Sequence, residues 1–286
     1  VLGAGTAGTM VVNKLQPRLD PAEWQITIVD QTACHHYQPG YLFIPFGIYR
    51  RHDVEKPRRD FIPAGVEMVM AQIEEIDPAG QRVTLADGRR LDYDYLVIAT
   101  GTHPTPSQTP GYEGEAVGES IHQYYTLDGA VALHERLKFW EGGRLVINIM
   151  EFPFKCPVAP MEFTFLADWW LREHNKREKT EIVFATPMSE VFTKPIAAKH
   201  LSGVLEGKDI AVETDFYVER IDADGNSLVA YDGRELPYDL LVTVPVNMGA
   251  EVIARSGLGD ELNHVPVDKG TFLSTKHPNI FAIGDA

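Results

Sequence analysis

The first fifteen residues, "VLGAGTAGTMVVNKL", leave the chain few ways to fold. Gly3, Gly5 and Gly8 form G-x-G-x-x-G between an apolar start and a helix-like stretch. The apolar run "ITIVD" then ends at Asp30, about 20 residues after the turn. The pattern predicts strand, tight turn, helix and second strand. Glycines let the backbone approach a pyrophosphate, the helix N-terminus supplies amide donors and the positive end of its dipole, and the acid accepts a ribose hydroxyl. Gly3, Gly5, Thr6, Ala7, Gly8, Asp30 and Gln31 are therefore the first expected cofactor-binding residues.

An internal repeat extends the reading. "DGRRLDYDYLVIATG" starts at Asp87 and "DGRELPYDLLVTVP" at Asp232, 145 residues later. Each reads as a turn, a short strand and a buried strand. The same offset carries Val1 onto Val146, inside the strand-like "RLVINIM". The fold expected is α/β, with two Rossmann-like units and the second inserted into the first. Residues 1–112 form the first part of one unit, 113–246 the second unit, and 247–286 the return, which closes on Gly284 and Asp285.

Composition serves mainly to exclude. A formal charge of −15 argues against nucleic acid, which needs basic surface to replace phosphate counterions. No run approaches the ~18 apolar residues of a membrane span. Cys34 and Cys156 are too few for a disulfide framework.

The stretch Ala99, Thr100 and Gly101 and the closing "IFAIGDA" resemble motifs of the flavoproteins that carry two dinucleotide-binding domains. That resemblance implies FAD in the first unit, with these three residues, Gly284 and Asp285 contributing, and NAD(P)H in the second. The second unit lacks the means. The 145-residue offset places the three glycine positions on Asn148, Met150 and Pro153, and no glycine lies between Gly143 and Gly203. The next strand, "EIVFAT", ends on Thr186 and Pro187 without an acid for a ribose.

In place of the loop stands "FPFKCPVAPMEF". The run after Pro160 predicts a helix with Phe163, Leu166, Trp170, Phe165 and Trp169 on a broad apolar face. Pro157 and Pro160 suit its entry. Cys156 then lies just before a helix N-terminus with Lys155 beside it, and both features favour the thiolate. "KCPVAPMEF" resembles the signature of sulfide:quinone oxidoreductases and of the flavoprotein subunit of flavocytochrome c sulfide dehydrogenases, and "HHYQPGYLFIPFG" resembles the former.

The resemblance implies an FAD enzyme that oxidises sulfide to sulfane sulfur or polysulfide. Cys156 would be one of two redox cysteines, and the electrons would pass to a membrane quinone or, in the dehydrogenases, to a cytochrome. It also implies a peripheral position on a prokaryotic inner membrane. Glu162 is a candidate proton shuttle, and Gln38 falls at the position where the dehydrogenases attach flavin.

The second redox cysteine and the quinone- and membrane-facing region are expected beyond Ala286, so the chain reads as a fragment. Tyr124 and Tyr125 stand where many of these reductases carry a further thiol. Cys34 is expected to be a packed loop residue, the alternative being a displaced flavin link. "CHH" at 34–36 has no second cluster to make a metal site. His200 is a lone histidine on a predicted helix, at most part of a proton route. The competing readings are a type II NADH:quinone reductase, which the lost glycine loop disfavours, and a flavin-binding relic without activity.

Overall fold

The computed structural model describes residues 1–286. The chain divides into two compact units. One comprises Val1–His36, Glu55–His103 and Asn247–Ala286; the other comprises Tyr37–Val54 and Pro104–Val246.

In the first unit, strand Ile26–Asp30 pairs in parallel with Val66–Met70, and Leu96–Ile98 pairs in parallel with Ile280–Ala282. Leu2 joins the two pairs by parallel bridges to Val29 and Ile98. The opening residues are thus the central strand, as an apolar run feeding a glycine turn requires. Helix α1 (Thr6–Leu15) buries Gly8, Thr9 and Val12, and Ala4, Val12, Ile28 and Val66 pack together. Strands Ile73–Asp77, Arg82–Leu85 and Arg90–Asp92 form an antiparallel meander.

The second unit has a parallel sheet in the order Ile121–His122, Leu240–Val244, Gly143–Ile149, Thr180–Ala185, Ile210–Glu213. Both faces of a parallel sheet need cover. Leu145, Ile147 and Ile149 pack with α2 (Leu127–Lys138), α3 (Ala159–Glu173) and α4 (Pro195–Gly207). Val146 and Val183 pack instead with Leu228 of a second meander, Val218–Asp222, Ser227–Ala230 and Glu235–Pro237.

The repeat holds at atomic detail. Arg89 donates from N and Nε to Asp87 at 3.1 and 2.9 Å, and Arg234 does the same to Asp232 at 3.0 and 2.8 Å. Gly80 N reaches Asp77 Oδ1 at 2.9 Å, and Gly225 N reaches Asp222 Oδ1 at 3.0 Å. These turns are the same two turns, 145 residues apart.

Two features differ from the sequence reading. Tyr37–Val54 groups with the second unit, because Tyr41, Leu42, Ile44 and Phe46 pack into its helix-side core with Tyr124, Leu133 and Phe163. The apolar face of α3 is narrower than expected: Phe163, Ala167, Trp170 and Leu171 are buried, Phe165 and Leu166 are half-buried, and Trp169 is exposed. One residue turns a helix by about 100°, so adjacent tryptophans cannot share a narrow stripe.

Opposite the site-bearing end of α3, Asp168 is fully buried and accepts Arg172 Nε at 3.0 Å, Arg177 Nε at 2.8 Å and Lys208 Nζ at 2.7 Å. Burial by itself pushes this carboxyl up; the hydrogen bonds from Arg172, Lys208 and Arg177 outweigh it and hold it at about 2. Arg177 also donates to the carbonyls of Thr180, Lys208 and Asp209, which ties α3 to the ends of two strand connections. Removing one partner of a buried ion cluster costs about 3–5 kcal/mol, so Asp168→Asn is expected to lose that much in urea unfolding at neutral pH. The folded carboxyl lies below its unfolded value of ~3.9. Its contribution is therefore complete above about pH 4 and fades as pH falls toward about 2, and the gap between wild type and variant should close over that window.

Candidate functional site

The glycine turn of the first unit is shaped by contacts no side chain permits. Gly3 has φ +91°, and a Cβ there would lie 2.4 Å from the Ala99 carbonyl oxygen. A Cβ on Gly8 would lie 1.9 Å from the Gly3 carbonyl oxygen, so only glycine lets α1 approach the turn this closely. A Cβ on Gly5 would meet nothing within 4 Å. Gly5 is the N-cap of α1, and no side chain caps the helix, so its first-turn amides have no side-chain acceptor. The return of the chain comes to the same place: Gly284, at φ +73°, has its Cβ position 2.9 Å from Ala7 Cβ, with Asp285 exposed beside it.

Asp30 ends its strand with both carboxylate oxygens engaged. Oδ2 accepts Ala4 N at 2.8 Å, and Oδ1 accepts Thr32 N at 2.9 Å and Thr32 Oγ1 at 3.1 Å. The 5%-exposed Arg58 pairs with Oδ2 at 3.3 Å. Arg58 also donates to the carbonyls of Ala4, Thr32 and Cys34 and to Thr32 Oγ1. Burial pushes this guanidinium down from its usual range, opposed by the charge of Asp30. Arg58 went unremarked in the sequence because nothing in "EKPRRDF" distinguishes it from a surface arginine; only the fold brings it under the turn.

Gly3, Asp30, Gln31 and Thr100 line a cleft of about 270 Å³ in this unit. Thr100 Oγ1 is buried there without a partner, and Gly101 follows at φ +67°. Open space at Gly5, an uncapped helix start and an orphaned hydroxyl are what a dinucleotide of the FAD type requires, so these residues fit it.

Cys34 is exposed on the short strand Cys34–His36, not packed as the sequence suggested, because its backbone faces Arg58 and leaves the thiol outside. His35 and His36 are half-buried next to it, with the His35 ring 4.7 Å from that of Phe61. His200 is exposed on α4.

In the second unit the corresponding turn is built otherwise. Asn148 is buried and its Oδ1 accepts Thr243 Oγ1 at 2.9 Å; Met150 is buried and Pro153 exposed. These side chains fill positions that glycines would leave open. Cys156 is exposed and holds φ +60°, a left-handed backbone uncommon outside glycine and asparagine. It stands three residues ahead of α3, and its carbonyl accepts Ala159 N at 3.2 Å. The Lys155 carbonyl accepts the Tyr125 hydroxyl at 2.9 Å, and Lys155 Nζ donates to Gln38 Oε1 at 3.0 Å, so that ammonium is directed to Gln38.

Glu162 is exposed in the first turn of α3. Beside it, Phe163 stacks on Tyr124 with centroids 4.7 Å apart at 9°, and the Tyr124 and Tyr125 rings lie 5.0 Å apart. Burial pushes both phenols up, and negative charge on Cys156 or Glu162 adds to the effect. The sequence marked these tyrosines only as the absence of a thiol; their place against the Cys156 loop is a product of the fold.

The model of the pyridine nucleotide-disulphide oxidoreductase family matches residues 1–147. The chain belongs to that family, whose members are FAD-dependent oxidoreductases. It is similar over its whole length to the mitochondrial sulfide:quinone oxidoreductases of Dictyostelium discoideum, at 30% identity, and of Mus musculus, at 24%. It spans 64% of the length of each of these curated relatives. The sulfide:quinone oxidoreductase structure from Aquifex aeolicus superposes with a TM-score of 0.84 at 21% identity, over 99% of this chain and 67% of that one, which is a likeness of fold.

Gly8→Ala tests the cofactor cradle. The added methyl has nowhere to go, and the flavin content of the purified protein, read from visible absorbance per mole, is expected to fall roughly tenfold or more.

Proposed function

We propose that this protein oxidises sulfide to sulfane sulfur at Cys156 and delivers the electrons to a membrane quinone. The observation that carries the reading is an exposed cysteine, in a backbone conformation suited to glycine, at the turn where a second nucleotide loop would sit. Relatives named as sulfide:quinone oxidoreductases that align with the entire chain support it.

Hydrosulfide and the Cys156 thiolate together give the Cys156 persulfide anion, one proton and two electrons. An S–H bond breaks and an S–S bond forms. Gly3–Gly8, Asp30, Thr100 and Gly284 of the first unit would hold FAD, which would supply a two-electron acceptor for this oxidation. Glu162, exposed in the first turn of α3, takes the released proton to solvent. Lys155 and Gln38 together hold the cysteine loop against the segment Tyr37–Val54. The membrane contact is peripheral in this reading; no helix is long and apolar enough to cross a bilayer.

The test is anaerobic reduction of the natural protein purified with its flavin. Sulfide is expected to bleach the flavin band, Cys156→Ser to slow bleaching roughly a hundredfold or more, and NADH to be inert. If NADH bleaches both proteins and sulfide neither, the protein is an NADH-dependent reductase and Cys156 only fills the turn.

A further inference from the structure

The second unit has a cleft that the chemistry above does not use. It encloses about 540 Å³, and all of its lining residues belong to that unit. Its place follows from the topology. From Gly143–Ile149 the chain lays Thr180–Ala185 and Ile210–Glu213 on one side, then returns to lay Leu240–Val244 on the other. Ligands of α/β sheets bind beyond the carboxyl ends of the strands at such a reversal. Met150 and Glu151, just past the end of one of these two central strands, and Val246, just past the end of the other, line the cleft. The chain has given up its glycine turn here and kept a crevice.

The lining has the wrong charge for a nucleotide. The carboxylates of Glu151, Asp215, Glu219 and Asp232 border the cleft, and no lysine or arginine does. Arg220 pairs with Glu219 at 2.9 Å and Arg234 with Asp232 at 2.8 Å, whereas Glu151 and Asp215 form no ion pair. A pyrophosphate would meet only like charge. Aromatic rings share the border: Phe152, Tyr217 and Tyr231 line it and are 58%, 55% and 74% exposed. Tyr231 N donates to the Tyr217 carbonyl at 3.0 Å, which extends the Val218–Ala230 pairing. Residues opposite one another in an antiparallel pair project to the same face, so the two phenols stand side by side. Thr109 lines the same cleft; it is 7% exposed, and its hydroxyl has no hydrogen-bond partner in the protein.

These features select one class of ligand. The face of an aromatic ring attracts a cation, and alkylated ammonium ions gain most because little water has to be stripped from them. We propose that this cleft is a binding site for a small organic ammonium ion. The rings of Phe152, Tyr217 and Tyr231 take its alkyl groups and charge, Glu151 and Asp215 supply the countercharge, and the Thr109 hydroxyl bonds a polar substituent. None of this rests on the sulfide reading above.

Choline is the probe, and 3,3-dimethylbutan-1-ol, with carbon in place of nitrogen, is its uncharged twin. Binding of each to the flavin-loaded protein would be followed by titration calorimetry at low salt. Choline is expected to bind, and the alcohol roughly tenfold more weakly or not at all. Both variants lie at exposed positions that folding does not depend on. Tyr231→Leu is expected to weaken choline binding roughly threefold to tenfold, and Glu151→Gln roughly threefold. Added salt should weaken it in the wild type, because the countercharge is solvent-exposed. NADH should leave bound choline in place.

Absence of choline binding overturns the proposal, as does equal affinity for choline and the alcohol. Either variant titrating as wild type, or binding indifferent to salt, has the same consequence. Displacement of choline by NADH would make the cleft a nucleotide site and also overturns it.

Discussion

The first unit depends on the contact between the backbone of Gly8 and the carbonyl of Gly3. With 1.9 Å between that oxygen and any added Cβ, the sequence has one residue to choose from, and the choice sets the angle at which α1 leaves the sheet. Everything useful about the turn follows from that angle. The amides at the start of α1 stay free, Gly5 faces open space, and the returning Gly284 settles against Ala7. Arg58 then finishes the turn from below, taking up carbonyls the sheet does not use and fixing Asp30 at the strand end. A buried guanidinium is tolerated because five donors find four oxygen partners and a carboxylate.

The second unit repeats the scaffold without that contact. Its meander turns reproduce those of the first to within a few tenths of an ångström in hydrogen-bond length. Its strand–helix junction does not. With no glycine available, the helix starts farther along, Asn148 and Met150 fill the space, and the chain takes a longer route on which Cys156 holds the left-handed conformation. A backbone strained by of order 1–3 kcal/mol persists only where its surroundings enforce it. Here the enforcing groups are the Tyr125 hydroxyl and the Gln38 amide, acting through Lys155. The same helix that presents this loop is anchored farther along by Asp168 and its three cations, so the polar network at one place fixes the position of the aromatic wall at the other.

Much of the architecture was legible because it rests on local rules. Glycine spacing with a distal acid, a repeated turn-strand-strand motif and a missing glycine run together prescribe two α/β units with one nucleotide turn kept and one replaced. The cysteine was legible for the same reason, being the chemistry left standing in a place where chain geometry predicts a loop. Less legible was whatever depended on burial. The periodicity of α3 admitted both Trp169 and Trp170 to the core, yet packing room existed for one. "HHYQPGYLFIPFG" reads as a connection, and its aromatic and aliphatic side chains carry no label saying which core they join.

By itself, the sequence determined the two-unit α/β fold, the glycine cradle and the place of Cys156, because each follows from steric limits on a few neighbouring residues. Only the tertiary structure decided that Arg58 lies under the first turn, that Tyr37–Val54 packs with the second unit, and that Tyr125 stands against the cysteine loop. The reason is physical: a charge or a phenol takes its meaning from what desolvates it and what it can reach, and those partners lie 26 and 30 residues away along the chain in the contacts of Arg58 with Thr32 and of Tyr125 with Lys155.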